Sequence, residues 1–329
     1  DPDDPGQIIV RSSPPGANIF LDGIDQLTTT PDTLTGLPAG SYEVTVVLDG
    51  HVADPDLVNI ELNPAETDSA EFILTSLAQA QKVVILEGFS NVSCPPCPEL
   101  TENLVTMMAK PEFSSDKVQF IEFAVSFPAL GDPFYLANPA ENLDRKNFYG
   151  VFAAPDLYVD GVQLPDPLDA QGMEDAVLAA MDADPGFEIS VSADFSTATV
   201  PVTVILNPLR TVDLSGHVLF VAIYEKEIVM DPAPGNNGQT EFHHVFRDRV
   251  DTPPALGELA ADTPQQFDLT LSFTSTHAGP DAYVALAFVQ DPNSHAILQA
   301  GSTATAKSLE MATTPDETAI VRPSERTPR

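Results

Sequence analysis

Cys94 and Cys97, in the stretch NVSCPPCPEL at 91–100, are the two cysteines of a 329-residue chain. Their spacing admits three chemistries. A disulfide across them closes a very short loop, for which chain entropy offers only about 2 kcal/mol. A structural zinc site wants four ligands, usually from two such pairs. There is no second CxxC here, and His51, His217, His243, His244, His277 and His295 all lie outside 82–185. A redox pair needs one thiolate that attacks and a second sulfur that resolves the mixed disulfide. The redox reading fits the local pattern best. An apolar run leads into CPPC and a helix is expected at or just after Cys94. Its unsatisfied N–H groups and positive dipole end favour a thiolate there. Cys94 is then the attacking sulfur and Cys97, one turn on, the resolving one. Pro95, Pro96 and Pro98 suit a first helical turn, where a missing N–H costs little.

A second cluster, EFHHVFRDR at 241–249, packs Glu241, His243, His244, Arg247, Asp248 and Arg249 into nine residues. Adjacent residues on a strand face opposite ways, so Glu241 and His243 share a face and could hold a metal weakly. The other readings are an interdomain or partner contact and an ion-paired strand packing on its own domain. No Ser-His-Asp order, nucleotide loop or HExxH pattern occurs. No dedicated metal site is expected.

The elements that must position the cysteines follow from periodicity. KVVILEGFS, from Lys82, is nearly continuous apolar sequence, as in a strand covered on both faces. Leu100, Leu104, Met107 and Met108 recur at helical spacing. VQFIEFAVSF at 118–127 reads as a second buried strand, 139–149 as a helix, and LYVDGVQL at 157–164 as a hairpin around Asp160-Gly161. Met173, Val177, Leu178 and Met181 share one face of a closing helix. That alternation predicts an α/β layered domain over 82–185. Upstream, Tyr42, Val44, Val46 and Leu48 alternate with Glu43, Thr45 and Val47, a half-buried strand, and turn dipeptides stand at Asp22-Gly23 and Asp49-Gly50. Downstream of Pro185-Gly186, six apolar runs without a convincing helix predict a second all-β domain to 304, interrupted by a loop with PAPGNNGQ.

Two resemblances add to this reading. Residues 7–76 resemble a PEGA domain, on Pro15-Gly16-Ala17, Leu21-Asp22-Gly23, Thr30-Pro31 and Leu37-Pro38-Ala39-Gly40. The resemblance implies a small surface or wall-proximal β-sandwich and no catalysis. The segment around CPPC resembles the thioredoxin family, with Ala153-Ala154-Pro155 at the position of its cis-proline. This implies that Pro155 and Ala154 hold the substrate backbone beside the sulfurs, and a cis bond there would be of the X-Pro kind. Ser93 stands where that family carries Trp. Phe89 fits its strand aromatic, and its buried proton-transferring acid would fall on Gly88. Adjacent Glu87 is the candidate substitute; its other reading is a carboxylate satisfied on a strand edge. LEGFSNVSCPPCP, with FHHVFRD and VALAFVQD…AILQA later, is similar to the outer membrane protein twenty-eight family over roughly 82–303. That implies an envelope or surface lipoprotein of a bacterium.

Composition bounds the partners. The net charge is −35, from 14 Lys+Arg against 49 Asp+Glu, which repels nucleic acid and anionic lipid. It suits salt adaptation or solubility. No run of about 18 apolar residues could span a membrane as a helix. The chain opens on Asp1, which reads as a removed secretory or lipoprotein signal.

The sequence thus predicts an extracytoplasmic protein with an α/β thioredoxin-like central domain flanked by two all-β sandwich domains. Its parts are a tether at 1–6, a PEGA-like sandwich at 7–76, a linker at 77–81, the thioredoxin-like domain at 82–185, a C-terminal sandwich at 186–304 and a tail at 305–329 that is disordered or docks on a sheet edge. The leading function is thiol–disulfide exchange on envelope or secreted proteins. Cys94, Cys97, Pro155 and Glu87 are its catalytic residues; Ala154, Pro95 and Pro96 are its substrate-binding ones. No cofactor is expected beyond the Cys94–Cys97 disulfide, and the partners are protein thiols or disulfides and a recycling redox protein. The rival reading is a non-catalytic subunit of a bacterial surface layer or extracellular fibre that self-associates through 305–329.

Overall fold

A computed structural model describes residues 4–48, 50–76, 79–197, 199–272 and 280–304. The expected tail at 305–329 lies outside them, as do residues 1–3 of the tether, Asp49 of one turn dipeptide and 77–78 of the linker.

The first eight strands are β1 (Gly6–Ser13), β2 (Asn18–Leu21), β3 (Ile24–Thr29), β4 (Asp32–Leu37), β5 (Gly40–Val47), β6 (His51–Asp54), β7 (Val58–Leu62) and β8 (Thr67–Ser76). They form two four-stranded sheets, β4-β1-β8-β6 and β3-β2-β5-β7. Period-two alternation sends Ile8, Val10, Ile19, Val44, Val46, Ile60, Phe72 and Leu74 into the space between the sheets, while Glu43 and Val47 on β5 face outward.

Next come β9 (Val84–Ser90), α1 (Cys97–Met108), β10 (Val118–Ala124), α2 (Pro133–Ala137), α3 (Pro139–Tyr149), β11 (Asp156–Val159), β12 (Val162–Gln163) and α4 (Ala170–Met181). The C-terminal strands are β13 (Phe187–Ala193), β14 (Thr199–Pro208), β15 (Val212–Asp213), β16 (Val218–Val229), β17 (Glu241–Arg249), β18 (Glu258–Leu259), β19 (Gln265–Ser272), β20 (Tyr283–Gln290) and β21 (Ile297–Ser302).

These two stretches share a single eight-stranded sheet, in the order β12-β11-β9-β10-β17-β16-β20-β21. The expectation of an α/β thioredoxin-like central domain between two separate sandwiches is therefore corrected. The described chain is mostly strand, with twenty-one strands against four α-helices, and its architecture is of the β-sandwich type. The physical reason lies at the edge of β10. Glu122 of β10 bridges in parallel to Val245 of β17, so the sheet runs on into the C-terminal strands. One aromatic core crosses that seam, joining Phe89, Phe123 and Tyr149 to Phe220, Phe246 and Phe288. The opposite side of β16 and β20 packs against a three-stranded sheet, β13-β14-β19, through Phe187, Val204, Leu206, Ile223 and Ala285.

Candidate functional site

Cys94 and Cys97 are joined by a disulfide, with their Cα atoms 5.4 Å apart. The turn that carries them is tied down on all sides. Cys94 N–H donates to the Asn91 carbonyl at 2.9 Å, and the Asn91 side chain donates to the carbonyls of Val125 and Ala129 at 2.7 and 3.1 Å. Val92 N–H donates to Asp132 Oδ2 at 2.8 Å. The same carboxylate caps α2 through Oδ1, which accepts from Phe134 and Tyr135 N–H. The helix begins at Cys97, later than expected, so Cys97 rather than Cys94 stands in its first turn. No side chain caps it, and Pro98 occupies a position with no backbone donor to satisfy. Leu100, Leu104 and Met107 bury the inner face of α1 against Val84, Leu86 and Phe120.

Both cysteines are buried, at 0% and 1% exposure. Part of the cover is the loop between β16 and β17, the PAPGNNGQ stretch, whose base is closed by Met230 N–H donating to the Thr240 carbonyl at 2.8 Å. Within it Asn237 N–H donates to the Val92 carbonyl at 3.2 Å, and Asn237 Nδ2 to the Cys94 carbonyl at 3.3 Å. Asn236 N–H reaches Ser93 Oγ at 3.3 Å, and Gln239 Nε2 reaches Thr101 Oγ1 at 3.3 Å. Gly235 passes so close to the turn that a Cβ on it would stand 2.0 Å from the Val92 carbonyl oxygen. Only glycine permits that approach.

The other residues expected at the site are placed as follows. Ala154–Pro155 is a cis bond directly before β11, which pairs antiparallel with β9; both residues are half-buried, beside Phe152 at 86% exposure. Pro95 is exposed and Pro96 half-buried on the outside of the disulfide turn. Glu87 is not brought to the cysteines. It lies on the face of β9 away from α1, where Arg145 of α3 grips it with two bonds of 2.7 and 2.8 Å and Tyr149 Oη donates to it.

The acid on the α1 side of the sheet is Glu122, opposite Gly88 in the β9–β10 register. Period two puts it on the same face as Phe120, which packs under α1. Burial raises its carboxyl to about 7, against the opposing hydrogen bond from Ser90, and the charge of Asp132 adds to the rise. Asp132 is itself raised, by burial. One signal for Glu122 was present: a single acid inside the apolar run VQFIEFAVSF. Nothing local pointed to Asp132 or to the covering loop.

In the second cluster, His243 and His244 do not face opposite ways. Both line one groove against α1, because His244 has a left-handed backbone, φ 54°. Arg247 pairs with buried Glu225 at 2.6 Å, and Arg249 with Asp144 at 3.1 Å. Among the described residues no three His, Cys, Asp or Glu side chains converge as a metal site.

The sequence pattern of the PEGA domain matches over residues 5–67. This stretch is a PEGA domain. The matched segment ends at the first residue of β8, so the PEGA domain model spans β1 to β7 of the sandwich. No curated protein matches the chain. Among solved structures, HBP35 of Porphyromonas gingivalis is similar with a TM-score of 0.55 at 18% identity, over 74% of this chain and 81% of that one, which shows a shared fold. A protein from Agrobacterium tumefaciens gives 0.47 at 18% identity, over 70% and 98%. A DUF3823 family protein from Parabacteroides merdae gives 0.16 at 8% identity, over 90% and 96%. These matches name neither the thioredoxin family nor the outer membrane protein twenty-eight family. Among the described residues no helix is long and apolar enough to cross a membrane.

Proposed function

We propose that the chain is a non-catalytic structural subunit of a bacterial surface layer or extracellular fibre, in which the Cys94–Cys97 disulfide locks the turn on which the β16–β17 loop docks. One observation carries this: both cysteines are buried, and the loop from Gly235 to Gln239 is hydrogen-bonded over their turn. A disulfide that exchanges needs a sulfur that an incoming thiolate can reach. A disulfide that fixes a docking platform needs to be sealed. The PEGA domain and the β-rich body suit a surface module, and the sequence resemblance over 82–303 supports an extracytoplasmic place for it. Assembly would run through 305–329.

Equilibration of the folded protein in glutathione and dithiothreitol buffers, read by alkylation and intact mass, tests the reading. The expected result is a bond that stays oxidised through the range of about −120 to −270 mV where exchange proteins work, and opens only below about −300 mV. Equilibration inside the working range would overturn it.

A second reading is favoured by one specific feature, a CPPC pair that leads directly into the N-terminal end of twelve-residue α1, where negative charge on the pair is stabilised. In it the chain exchanges disulfides with envelope or secreted proteins. Cys94 attacks, Cys97 resolves, and Ala154, Pro155, Pro95 and Pro96 hold the substrate chain. It requires the β16–β17 loop to lift and a redox partner to recycle the pair.

A further inference from the structure

The two edges of the three-stranded sheet β13-β14-β19 are finished differently. Strand β13 is sealed by β21. Gln299 Nε2 donates to the Phe187 carbonyl at 3.0 Å, and a Cβ on Gly301 would stand 2.2 Å from the Ile189 carbonyl oxygen. The core-facing Phe187, Ile189 and Val191 are accordingly buried. Strand β19 has no such cover. Phe267 and Leu269 face the same core, yet both stay half-exposed. The register shows what this edge offers. Pro201 of β14 turns its carbonyl toward β13, where Asp194 N–H donates to it at 3.1 Å. Backbone groups alternate in direction along a strand, so Val202 and Val204 turn theirs toward Leu269 and Phe267 of β19. Gln266, Asp268 and Thr270 then aim N–H and C=O away from the sheet, and among the described residues nothing bonds them. At the end of the row, Ser272 N–H is taken by Asp248 Oδ2 at 2.9 Å. β19 is eight residues long and has no Lys and no Pro, the residues that commonly blunt an edge.

We infer that the β19 edge takes an extended strand from a second copy of the chain, supplied by residues 316–322. The inference rests on the reading of the protein as an assembling subunit and names the surface that its tail enters. A row of backbone donors and acceptors is matched by another extended backbone, which fixes the class of partner. Three outward residues at every second position need a partner of about five to seven residues. Pro315 and Pro323 bracket seven, DETAIVR, and Pro323 has no N–H with which to carry a ladder further. Alternation sets Ala319 and Val321 on one face, to cover Phe267 and Leu269, and Thr318, Ile320 and Arg322 on the other. On that outer face Arg322 meets exposed Asp268. Charge points the same way. Arg322, Arg326 and Arg329 stand with one acid, Glu325, over 319–329 of a chain whose net charge is −35. The edge is acidic, with Asp268 on β19, Asp248 at the end of the row and Asp251 next to it, while neighbouring Arg249 is engaged by Asp144. The last described residues, Thr303 and Ala304, follow β21 at the sealed edge, where Thr303 N–H donates to the Ala285 carbonyl at 2.9 Å. A neighbour's tail reaches the open edge without wrapping its own body.

Sedimentation velocity of the full chain over a concentration series tests this, together with cysteine cross-linking. The chain should self-associate. Thr270→Pro removes one outward N–H and leaves the ladder to β14 intact, so it should weaken association about tenfold, the worth of one hydrogen bond, at an unchanged denaturant midpoint. Asp268→Lys should weaken it about threefold, as expected of an exposed ion pair. Val321→Pro should match Thr270→Pro and lies outside the described residues, so a Thr270→Pro protein that fails to fold does not shield the inference. Thr270→Cys and Ile320→Cys, placed in separate chains and mixed, should cross-link to each other in excess of either alone. Association that persists in both proline variants, or a mixture that does not cross-link, would sink the inference and leave the subunit reading standing. A monomer that cross-links within one chain carrying both cysteines would give the edge to the chain's own tail, which also defeats it. A monomer with no cross-link of either kind would remove the subunit reading as well.

Discussion

The two faces of the β9–β10 pair each bury a carboxylate and treat it in opposite ways. On the α3 face, Glu87 meets Arg145 in a bidentate pair, and the guanidinium is itself wedged among Phe148, Tyr149 and Phe220 at 4.7, 4.8 and 4.5 Å. Glu87, Arg145 and the Tyr149 hydroxyl bond to one another inside the aromatic core. On the α1 face, Glu122 has Ser90 for a partner and another buried acid, Asp132, nearby, with its carboxyl raised to about 7. One face is a closed ion pair. The other holds two acids raised by burial, and among the described residues no cation pairs with either. What differs is whether a helix supplies an arginine: α3 does, and α1 has no basic residue to give.

The sharpest way to break this comparison is to remove the cation. Arg145→Met should leave Glu87 buried and unpaired and lower stability by about 3–5 kcal/mol. Adding Glu87→Gln should recover most of that, as read from denaturant midpoints. A neutral single variant would mean that Glu87 is not sealed as described.

Glu122→Gln is the counterpart on the other face, with the opposite sign. A carboxyl whose pKa is raised in the folded state binds a proton that the unfolded chain has released, so stability falls as pH rises from about 4.5 to about 7. The lost stability above pH 7 is about 3 kcal/mol, from a shift of roughly 2.5 units at about 1.4 kcal/mol each. The glutamine variant should lack that slope and be more stable near neutral pH. Thermal or denaturant unfolding across pH 4–8 checks it; an unchanged slope would move the proton to Asp132.

Smaller effects concern the seal. Replacing both cysteines with serine should cost about 2 kcal/mol, the chain-entropy worth of so short a loop, without loss of fold. Gly235→Ala should cost about 1–2 kcal/mol by overpacking against the Val92 carbonyl, and speed reduction of the disulfide by dithiothreitol by lifting the cover. Reduction at an unchanged rate would show that the loop does not guard the bond.

Local pattern located much of this. The apolar run before CPPC is β9, the Leu100/Leu104/Met107 spacing is the buried face of α1, 139–149 is α3, and Asp160-Gly161 turns β11 into β12. Each of these is set by contacts between residues a few positions apart. Glu87 was harder. Its place beside Gly88 in sequence suggested a role with the sulfurs, but successive strand residues point to opposite faces, which put it with Arg145. His243 and His244 failed by the converse: alternation separates neighbours, and the left-handed turn of His244 undid it.

The amino-acid sequence by itself determined the two cysteines one turn apart, the strands and helices that flank them, the alternating sandwich of the PEGA domain and the acidic surface. Those follow from composition and from periods of two and 3.6 residues. Tertiary structure alone decided that β10 and β17 join two stretches into one sheet, that a loop some 140 positions away from the cysteines lies over their turn, and that Glu122 rather than Glu87 is the acid on the α1 face of the sheet. Strand edges carry no address for their partner: any exposed row of N–H and C=O groups can pair with another. Which edges meet is settled by the aromatic core that closes across the seam.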